Sequence, residues 1–115
     1  MRRDEERLHD ILEAIEAIET FSAGGQKEFE ASTILQEWVA FKLVVIGEAA
    51  ARLSPSIRKR WSKIPWVNII AMRNTIVHEY FTLDHVELWR AVVNDIGTLK
   101  RNIIDILDNL GKSKS

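Results

Sequence analysis

Apolar residues recur every three or four positions along most of this chain. In the first segment Leu8, Ile11 and Ile15 fall on one helical face, with glutamates between them. This period predicts an amphipathic helix that buries one side. The Ser-Ala-Gly-Gly run over 22–25 predicts its end. No segment alternates apolar and polar residues as a half-buried strand would, so the pattern predicts an all-α protein.

A second, longer helix is predicted from Ser32 to Leu53. Between Trp38 and Ile46 nearly every side of it is apolar. Such a helix is normally central to a fold or covered by a partner, and a chain of 115 residues can enclose few helices by itself. We therefore expect a homodimer. Gly47 costs this helix about 1 kcal/mol relative to alanine, and close helix packing explains it better than room for a ligand or a partner chain.

Later breaks divide the rest of the chain into helices. Ser54 and Pro55 supply a cap and a first helical position for a short helix, and Pro65 precedes another helix that begins near Trp66. The predicted fold is an all-α up-and-down bundle of four or five helices. It forms one domain over residues 1–115, with a disordered tail over 111–115. The last helix carries one apolar stripe: Val86, Trp89, Val93, Ile96, Leu99, Ile103, Leu107 and Leu110.

Composition and charge narrow the choice of function. Hydrophobic residues make up 46% and charged residues 29%, as in globular domains, and the net charge of -1 excludes a strongly basic protein but not a local basic cleft. Because there is no cysteine, disulfides and thiolate chemistry are excluded. No signal-peptide core follows the charged N-terminus, and the longest apolar stretch is too short to span a bilayer. We expect a cytoplasmic protein with no membrane contact.

Most kinds of chemical site are missing from the sequence. It has no phosphate-binding loop, dinucleotide fingerprint or calcium loop. Its three histidines do not combine with carboxylates at metal-ligand spacing, so we predict no metal and no cofactor. His9, beside Asp10 on the polar side of the first helix, is best interpreted as solvated. His85, after Asp84 at a helix start, is best interpreted as a capping or surface residue.

His78 has different neighbours. The segment 73–80 also holds Arg73, Asn74 and Tyr80. Four-residue spacing places Asn74 beside His78, whereas Arg73 lies about 140° away from His78 around the helix axis. A cleft between two chains would let both side chains line one groove. From spacing alone, a capped helix end is as good an interpretation as a functional site.

The functional interpretation is cleavage of RNA without a metal ion. Histidine exchanges protons near neutral pH, and arginine offers phosphate a permanently charged fork of donors. The ribose 2′-hydroxyl would attack the adjacent phosphorus, with His78 as general base or acid. Arg73 would stabilise the charge on the phosphoryl oxygens, and Asn74 would orient His78 or contact a phosphate.

Cations are concentrated just before this segment. Clustered cations supply phosphate affinity, and RNA contact is as good an interpretation of them as a solvated surface. Trp61 among them could stack on a base, but a place in the core is favoured. The candidate RNA-binding residues are Arg52, Arg58, Lys59, Arg60 and Lys63.

Together these features resemble the HepT-type toxins of the HEPN superfamily. Their motif is Arg, four residues, His, one residue and Tyr, which Arg73, His78 and Tyr80 match. The Ile-Pro-Trp run over 64–66 and the Val-Ile-Gly-Glu-Ala-Ala run over 45–50 occur in register with it. The Arg–His spacing alone is weak because it arises by chance in many proteins. The combination is strong and covers nearly the whole chain.

The resemblance implies a metal-independent endoribonuclease, the toxin of a two-gene toxin–antitoxin module, in which the motifs of a helical dimer line one cleft. Its partner would be an MNT-type nucleotidyltransferase antitoxin. In this family that enzyme can transfer AMP to the motif tyrosine, here Tyr80, and the added phosphates would block the groove. Arg73 and His78 carry over as the catalytic pair and Asn74 as a supporting residue. Glu48 carries over as a candidate helper, with a buried ion pair to Arg73 an equally good interpretation.

Three other interpretations stay open at this point. The chain would be a non-catalytic HEPN module that binds nucleotides or partners, the antitoxin of a toxic nucleotidyltransferase, or a structural dimerisation bundle. The presence of Arg73, His78 and Tyr80 argues against an inactive copy. The apolar second helix suits a dimerisation bundle equally well.

Overall fold

Helices account for most of the chain, which confirms the predicted all-α class. The computed structural model describes residues 2–114, with side chains over 3–112. No strand forms within that range. The elements in chain order are α1 (Arg2–Phe21), α2 (Gln26–Ala31), α3 (Thr33–Arg52), α4 (Pro55–Arg60), α5 (Trp66–His78), a 3-10 turn (Tyr80–Thr82), α6 (His85–Asn94) and α7 (Ile96–Lys114).

The long apolar helix α3 lies at the centre of the bundle. It packs against α1 and α5 and also contacts α2 and α6, while α7 packs against α1 and α6. The stripe predicted for the first helix is buried, since Leu8, Ile11 and Ile15 are all fully enclosed. On α3 the buried residues include Val39 and Leu43. The apolar faces of α1, α3, α5 and α7 therefore supply one shared core.

Two serine caps set the ends of the helices around α3. The hydroxyl of Ser32 accepts a hydrogen bond from the Leu35 N–H at 3.1 Å, and that of Ser54 accepts one from the Ile57 N–H at 3.3 Å. The predicted boundaries near 32 and 54 are confirmed to within one residue. Asp4 binds the second cap from α1: its carboxylate accepts from the Ser54 N–H at 2.9 Å and the Ser54 hydroxyl at 2.7 Å.

The helices outnumber the predicted four or five, for two reasons. The pattern did not reveal α2, which is only six residues long. The predicted last helix is also interrupted at Asp95, because Asn94 and Asp95 are weak helix formers whose side chains compete for backbone hydrogen bonds. Burial also departs from the predicted stripe, since Val93 is exposed, whereas Leu88 is buried.

Helix α7 runs into the segment where the sequence pattern predicts a tail, and the disorder predicted over 111–115 stays a prediction. α7 continues through Gly111 to Lys114, so the segment 111–114 is helical, and Ser115 lies outside the described residues. A single glycine costs a helix about 1 kcal/mol relative to alanine, which does not end a helix when no proline follows. Within residues 2–114 no helix is both long and apolar enough to cross a bilayer.

Candidate active site

The motif segment lies at the C-terminal end of α5. Trp66 and Ile76 anchor this helix in the core, while Asn74 and His78 are exposed one turn apart on another side. His78 is the last residue of α5, and the Glu79 N–H closes the helix by donating to the Thr75 carbonyl at 2.8 Å. The backbone thus presents Asn74 and His78 to solvent as neighbours.

The backbone of Arg73 lies where α5 packs closely against α3. A Cβ atom placed on Gly47 would lie 2.2 Å from the Arg73 Cβ and 3.3 Å from the Ile69 carbonyl oxygen. No side chain larger than hydrogen fits there without a shift of one helix. The close-packing interpretation of Gly47 is therefore confirmed, and its role is to let α5 bring Arg73 against α3.

Glu48 holds the guanidinium of Arg73. Its Oε1 accepts a hydrogen bond from Arg73 Nη1 at 2.5 Å, and its Oε2 lies 3.9 Å from Arg52 Nη2. The side chains of Arg73 and Glu48 are 24% and 42% exposed, so solvent reaches the pair. Arg73 Nε is buried without a partner. Within residues 2–114 no hydrogen bond joins Arg73 to His78, as the helical angle between them predicts.

Tyr80 contacts a residue that the sequence analysis missed. It begins the 3-10 turn, and its phenol lies close to the Glu37 carboxylate on α3. Desolvation, followed by the negative charge of Glu37 and its interaction with the phenol hydroxyl, raises the pKa of Tyr80. The sequence did hold a signal. Glu37 and Glu48 are eleven positions apart, about three helical turns, so both lie on the side of α3 that faces α5.

Exposed apolar side chains surround this end of the molecule. Ile34, Trp38 and Phe41 form a stripe on α3 and are 67%, 47% and 55% exposed. Phe81 is 99% exposed and makes an edge contact with Tyr80, the ring centroids being 5.6 Å apart. The contact between Tyr80 and Glu37, the neighbour of Trp38, places the turn beside the stripe. We call Ile34, Trp38, Phe41 and Phe81 the apolar surface.

The candidate RNA-binding cations do not form one cluster with the motif. Arg52 alone among them reaches it, through Glu48. Lys63 and the α4 cations Arg58, Lys59 and Arg60 precede the first turn of α5, and His78 lies about 18 Å away from that turn along the helix axis.

The remaining candidates have structural surroundings. Trp61 packs against the core and its carbonyl accepts from Trp66 Nε1 at 3.2 Å, which confirms the core interpretation. His9 is exposed, and His85 is half-buried at the start of α6. Within the described part of the chain no three His, Asp or Glu side chains are grouped as metal ligands.

The comparisons with known proteins identify the family. The family model described as Ribonuclease HepT-like matches residues 11–106. The chain belongs to the HepT-like family. The matched region includes α3 and α5, with the Gly47 contact, the Glu48–Arg73 pair and the motif through Tyr80.

Archaeal and bacterial HepT-like relatives are similar over most of the chain. A Methanocaldococcus jannaschii protein named "Gamma-glutamylcyclotransferase and putative RNase" is 35% identical over 100% of the chain, which spans only 53% of that relative. A Thermococcus cleftensis protein named "Probable ribonuclease HepT" is 35% identical over 86% of the chain and 91% of its own length. A "Putative RNase" of Caldanaerobacter subterraneus is 31% identical over 87% of the chain and 90% of its own length. No solved structure matches the chain significantly.

Proposed function

We propose that the chain is an endoribonuclease that cleaves RNA without a metal ion. The observation that carries the proposal is the exposed end of α5, where Asn74 and His78 reach solvent beside an arginine held by Glu48. The names of the relatives, which describe ribonucleases, support the reaction class. The family match over 11–106 supports one HepT-like domain within residues 1–115.

In the proposed reaction the RNA 2′-hydroxyl attacks its adjacent phosphorus. His78 accepts the hydroxyl proton, a P–O2′ bond forms and the P–O5′ bond breaks. An imidazolium returns a proton to the departing 5′-oxygen, which leaves a 2′,3′-cyclic phosphate and a 5′-hydroxyl. Arg73 donates hydrogen bonds to the phosphoryl oxygens as negative charge gathers on them, and Asn74 orients the imidazole.

We propose that two chains complete this site. Arg73 and His78 leave α5 in different directions, and Arg73 is turned towards Glu48. Pairing through the apolar surface would place a second α5 opposite the first, so that one groove receives Arg73 and His78 from both chains. Exposed apolar patches of this kind mark interaction sites.

The cellular role we propose is that of the toxin in a two-gene module. An MNT-type nucleotidyltransferase would neutralise it by transferring AMP to Tyr80, whose oxygen would bond to the α-phosphorus of a nucleoside triphosphate as pyrophosphate leaves. Two observations support Tyr80 as the acceptor: it is 41% exposed at the edge of the motif, and its phenol lies close to the Glu37 carboxylate. The added phosphate would repel RNA.

The test is cleavage of a fluorescent RNA by the purified chain in excess EDTA. We expect 2′,3′-cyclic phosphate ends. The cleavage rate of His78→Ala and of Arg73→Ala should be at least about 100-fold lower than that of the wild type. The matched controls are His9→Ala and Arg101→Ala, which remove exposed residues of the same types from α1 and α7. They should cleave at the wild-type rate.

Strict dependence on a divalent ion would refute the mechanism, and full activity in both motif variants would refute the site. The toxin role has its own test, growth of cells in which this chain alone is induced. Unaffected growth and intact RNA would contradict it. Mass spectrometry after co-expression with the nucleotidyltransferase should find AMP on wild-type protein and none on Tyr80→Phe.

A further inference from the structure

Helix α5 has a second exposed side, turned away from the motif. Asn68, Met72 and Thr75 recur at helical spacing and point about 110° around the axis from Asn74 and His78. This side faces α6 and the start of α7. It is separate from the apolar surface and plays no part in the proposed cleavage.

Two cavities follow one another along this side of α5. The first, about 260 Å³, lies where α3, α5, α6 and α7 meet, with Ile46 and Leu99 in its floor. The second, about 300 Å³, lies between α5, the 3-10 turn and α6, with Leu88 in its floor. Met72 and Ala91 line both, so the cavities form one interrupted groove. We call it the α5–α6 groove.

The charged side chains of the groove are all acidic. Asp95 lines the first cavity and Glu79, Asp84 and Glu87 line the second, and no described Lys, Arg or His lines either one. Glu87 pairs with Arg90 at 2.6 Å. Asp95 in the first cavity and Glu79 and Asp84 in the second have no ion pair within residues 2–114, so the first cavity carries one uncompensated carboxylate and the second carries two. Such a groove repels RNA phosphate and attracts cations.

We propose that the α5–α6 groove binds a cationic amphipathic helix of a partner protein. Ile69 in the first cavity and Ile76 in the second are seven positions apart on α5, which is about 10 Å along its axis. A partner helix that follows α5 would therefore insert apolar side chains at its positions i and i+7, one into each cavity. Lysine or arginine beside each anchor would pair with Asp95 and Glu79. This binding is independent of ribonuclease activity.

The experiment uses a synthetic probe that has this chemistry. A fluorescently labelled 14-residue peptide of about four turns carries leucine at i, i+3, i+4 and i+7 and lysine elsewhere. One comparison peptide has the same composition with the leucines scattered around the helix, and another replaces lysine by glutamate. Fluorescence anisotropy with the full chain should give binding of the patterned lysine peptide at micromolar concentration. Both comparison peptides should bind at least about tenfold more weakly.

Two double variants separate the groove from general attraction to an acidic protein. Glu79→Gln with Asp95→Asn should weaken binding of the patterned peptide at least about tenfold. The matched control is Asp105→Asn with Asp108→Asn, which removes the same charge from exposed positions on α7 outside both cavities. This control should bind the patterned peptide with an affinity within about twofold of the wild-type value. Equal loss in both variants, or no binding by the wild type, would overturn the proposal.

Amide chemical shifts locate the bound peptide. The largest changes should fall on Asn68, Thr75 and Thr98, with small changes on Asn74. The pattern should be the same in His78→Ala, so that loss of ribonuclease activity does not affect this test. The proposal is wrong if the peptide instead changes the amide chemical shifts of Asn74 and His78. It is also wrong if an oligouridylate RNA, or a second copy of the chain at high concentration, shifts the groove residues.

Discussion

Glu48 stands between two arginines, and this position decides its expected role. Its short bond fixes Arg73, while the contact to Arg52 at 3.9 Å is longer and solvated. A pair this exposed contributes about 0–1 kcal/mol to stability. We expect its larger effect to be on direction, since the carboxylate fixes where Arg73 Nη1 points. We therefore regard Glu48 as a positioning residue for Arg73.

Glu48→Ala should lower kcat for RNA cleavage about tenfold or more, because misplacing a group that contacts the transition state is costly. KM should stay level or fall, since a negative charge is lost near the phosphate. Glu48→Gln, which keeps an acceptor for Arg73, should recover part of kcat. The measurement is steady-state cleavage of a short RNA by each variant.

The matched control is Glu19→Gln, which removes the carboxylate from another partly exposed pair, to Lys100 at 2.8 Å. It should leave kcat and KM unchanged. A rise in KM at constant kcat in Glu48→Ala would contradict the positioning role.

At the scale of elements, the approach of α5 to α3 depends on Gly47. Gly47→Ala would gain about 1 kcal/mol of helix propensity. The added methyl would also meet the Arg73 Cβ, and overpacking of this kind costs about 1–3 kcal/mol. We expect a net loss of stability and of RNA cleavage, measured by urea unfolding and by the RNA assay.

Gly111→Ala is the control, because nothing lies within 4 Å of a Cβ at Gly111 in α7. It should be neutral or stabilising by up to about 1 kcal/mol, with unchanged cleavage. Gly47→Ala that unfolds at the same urea concentration as Gly111→Ala would contradict the packing argument.

The hydrogen bonds from Ser54 to Asp4 join α1 to the start of α4. Burial opposes ionisation of this carboxyl and the hydrogen bonds from Ser54 favour it, and the pKa of Asp4 lies below its ordinary 3.8. A lowered pKa stabilises the folded protein above the unfolded value, and that stability is lost as pH falls through the folded value. Asp4→Asn should therefore cost about 1–3 kcal/mol at pH 7.

The cost of Asp4→Asn should shrink below about pH 4, where the wild-type carboxyl begins to take up its proton. Urea unfolding of both proteins across pH 2–7 measures it. Asp10→Asn, which changes an exposed carboxylate on the same helix, should follow the wild-type pH profile. A constant difference between wild type and Asp4→Asn across this range would show that the charge of Asp4 is immaterial.

At the scale of the whole molecule, the apolar surface predicts the oligomeric state. Light scattering at micromolar concentration should give twice the chain mass of 13.2 kDa. Phe41→Glu should give one chain mass and lose RNA cleavage, because an interface core does not accept an unpaired charge. Val93→Glu, at a 60% exposed apolar position on α6, is the control and should remain dimeric and active. A monomeric wild type would refute the dimer.

The sequence determined the all-α class, the course of α1, α3 and α5, and the cap at Ser54, because local periodicity and cap chemistry act within a few residues. It also identified the segment that carries Arg73, Asn74, His78 and Tyr80. Motif spacing and the resemblance to HepT-type toxins were enough for that. The sequence did not predict the break at Asp95 or the helical end of α7, because weak helix formers and a single glycine act differently in different tertiary surroundings.

Only the tertiary structure decided what the motif side chains contact. Tyr80 lies close to Glu37, which is 43 positions away in the sequence, and Arg73 binds Glu48, which is 25 positions away. The α5–α6 groove likewise depends on four helices that meet from distant parts of the chain. Periodicity shows which side of a helix is apolar but not which helix it meets, because that choice depends on the packing of the whole bundle.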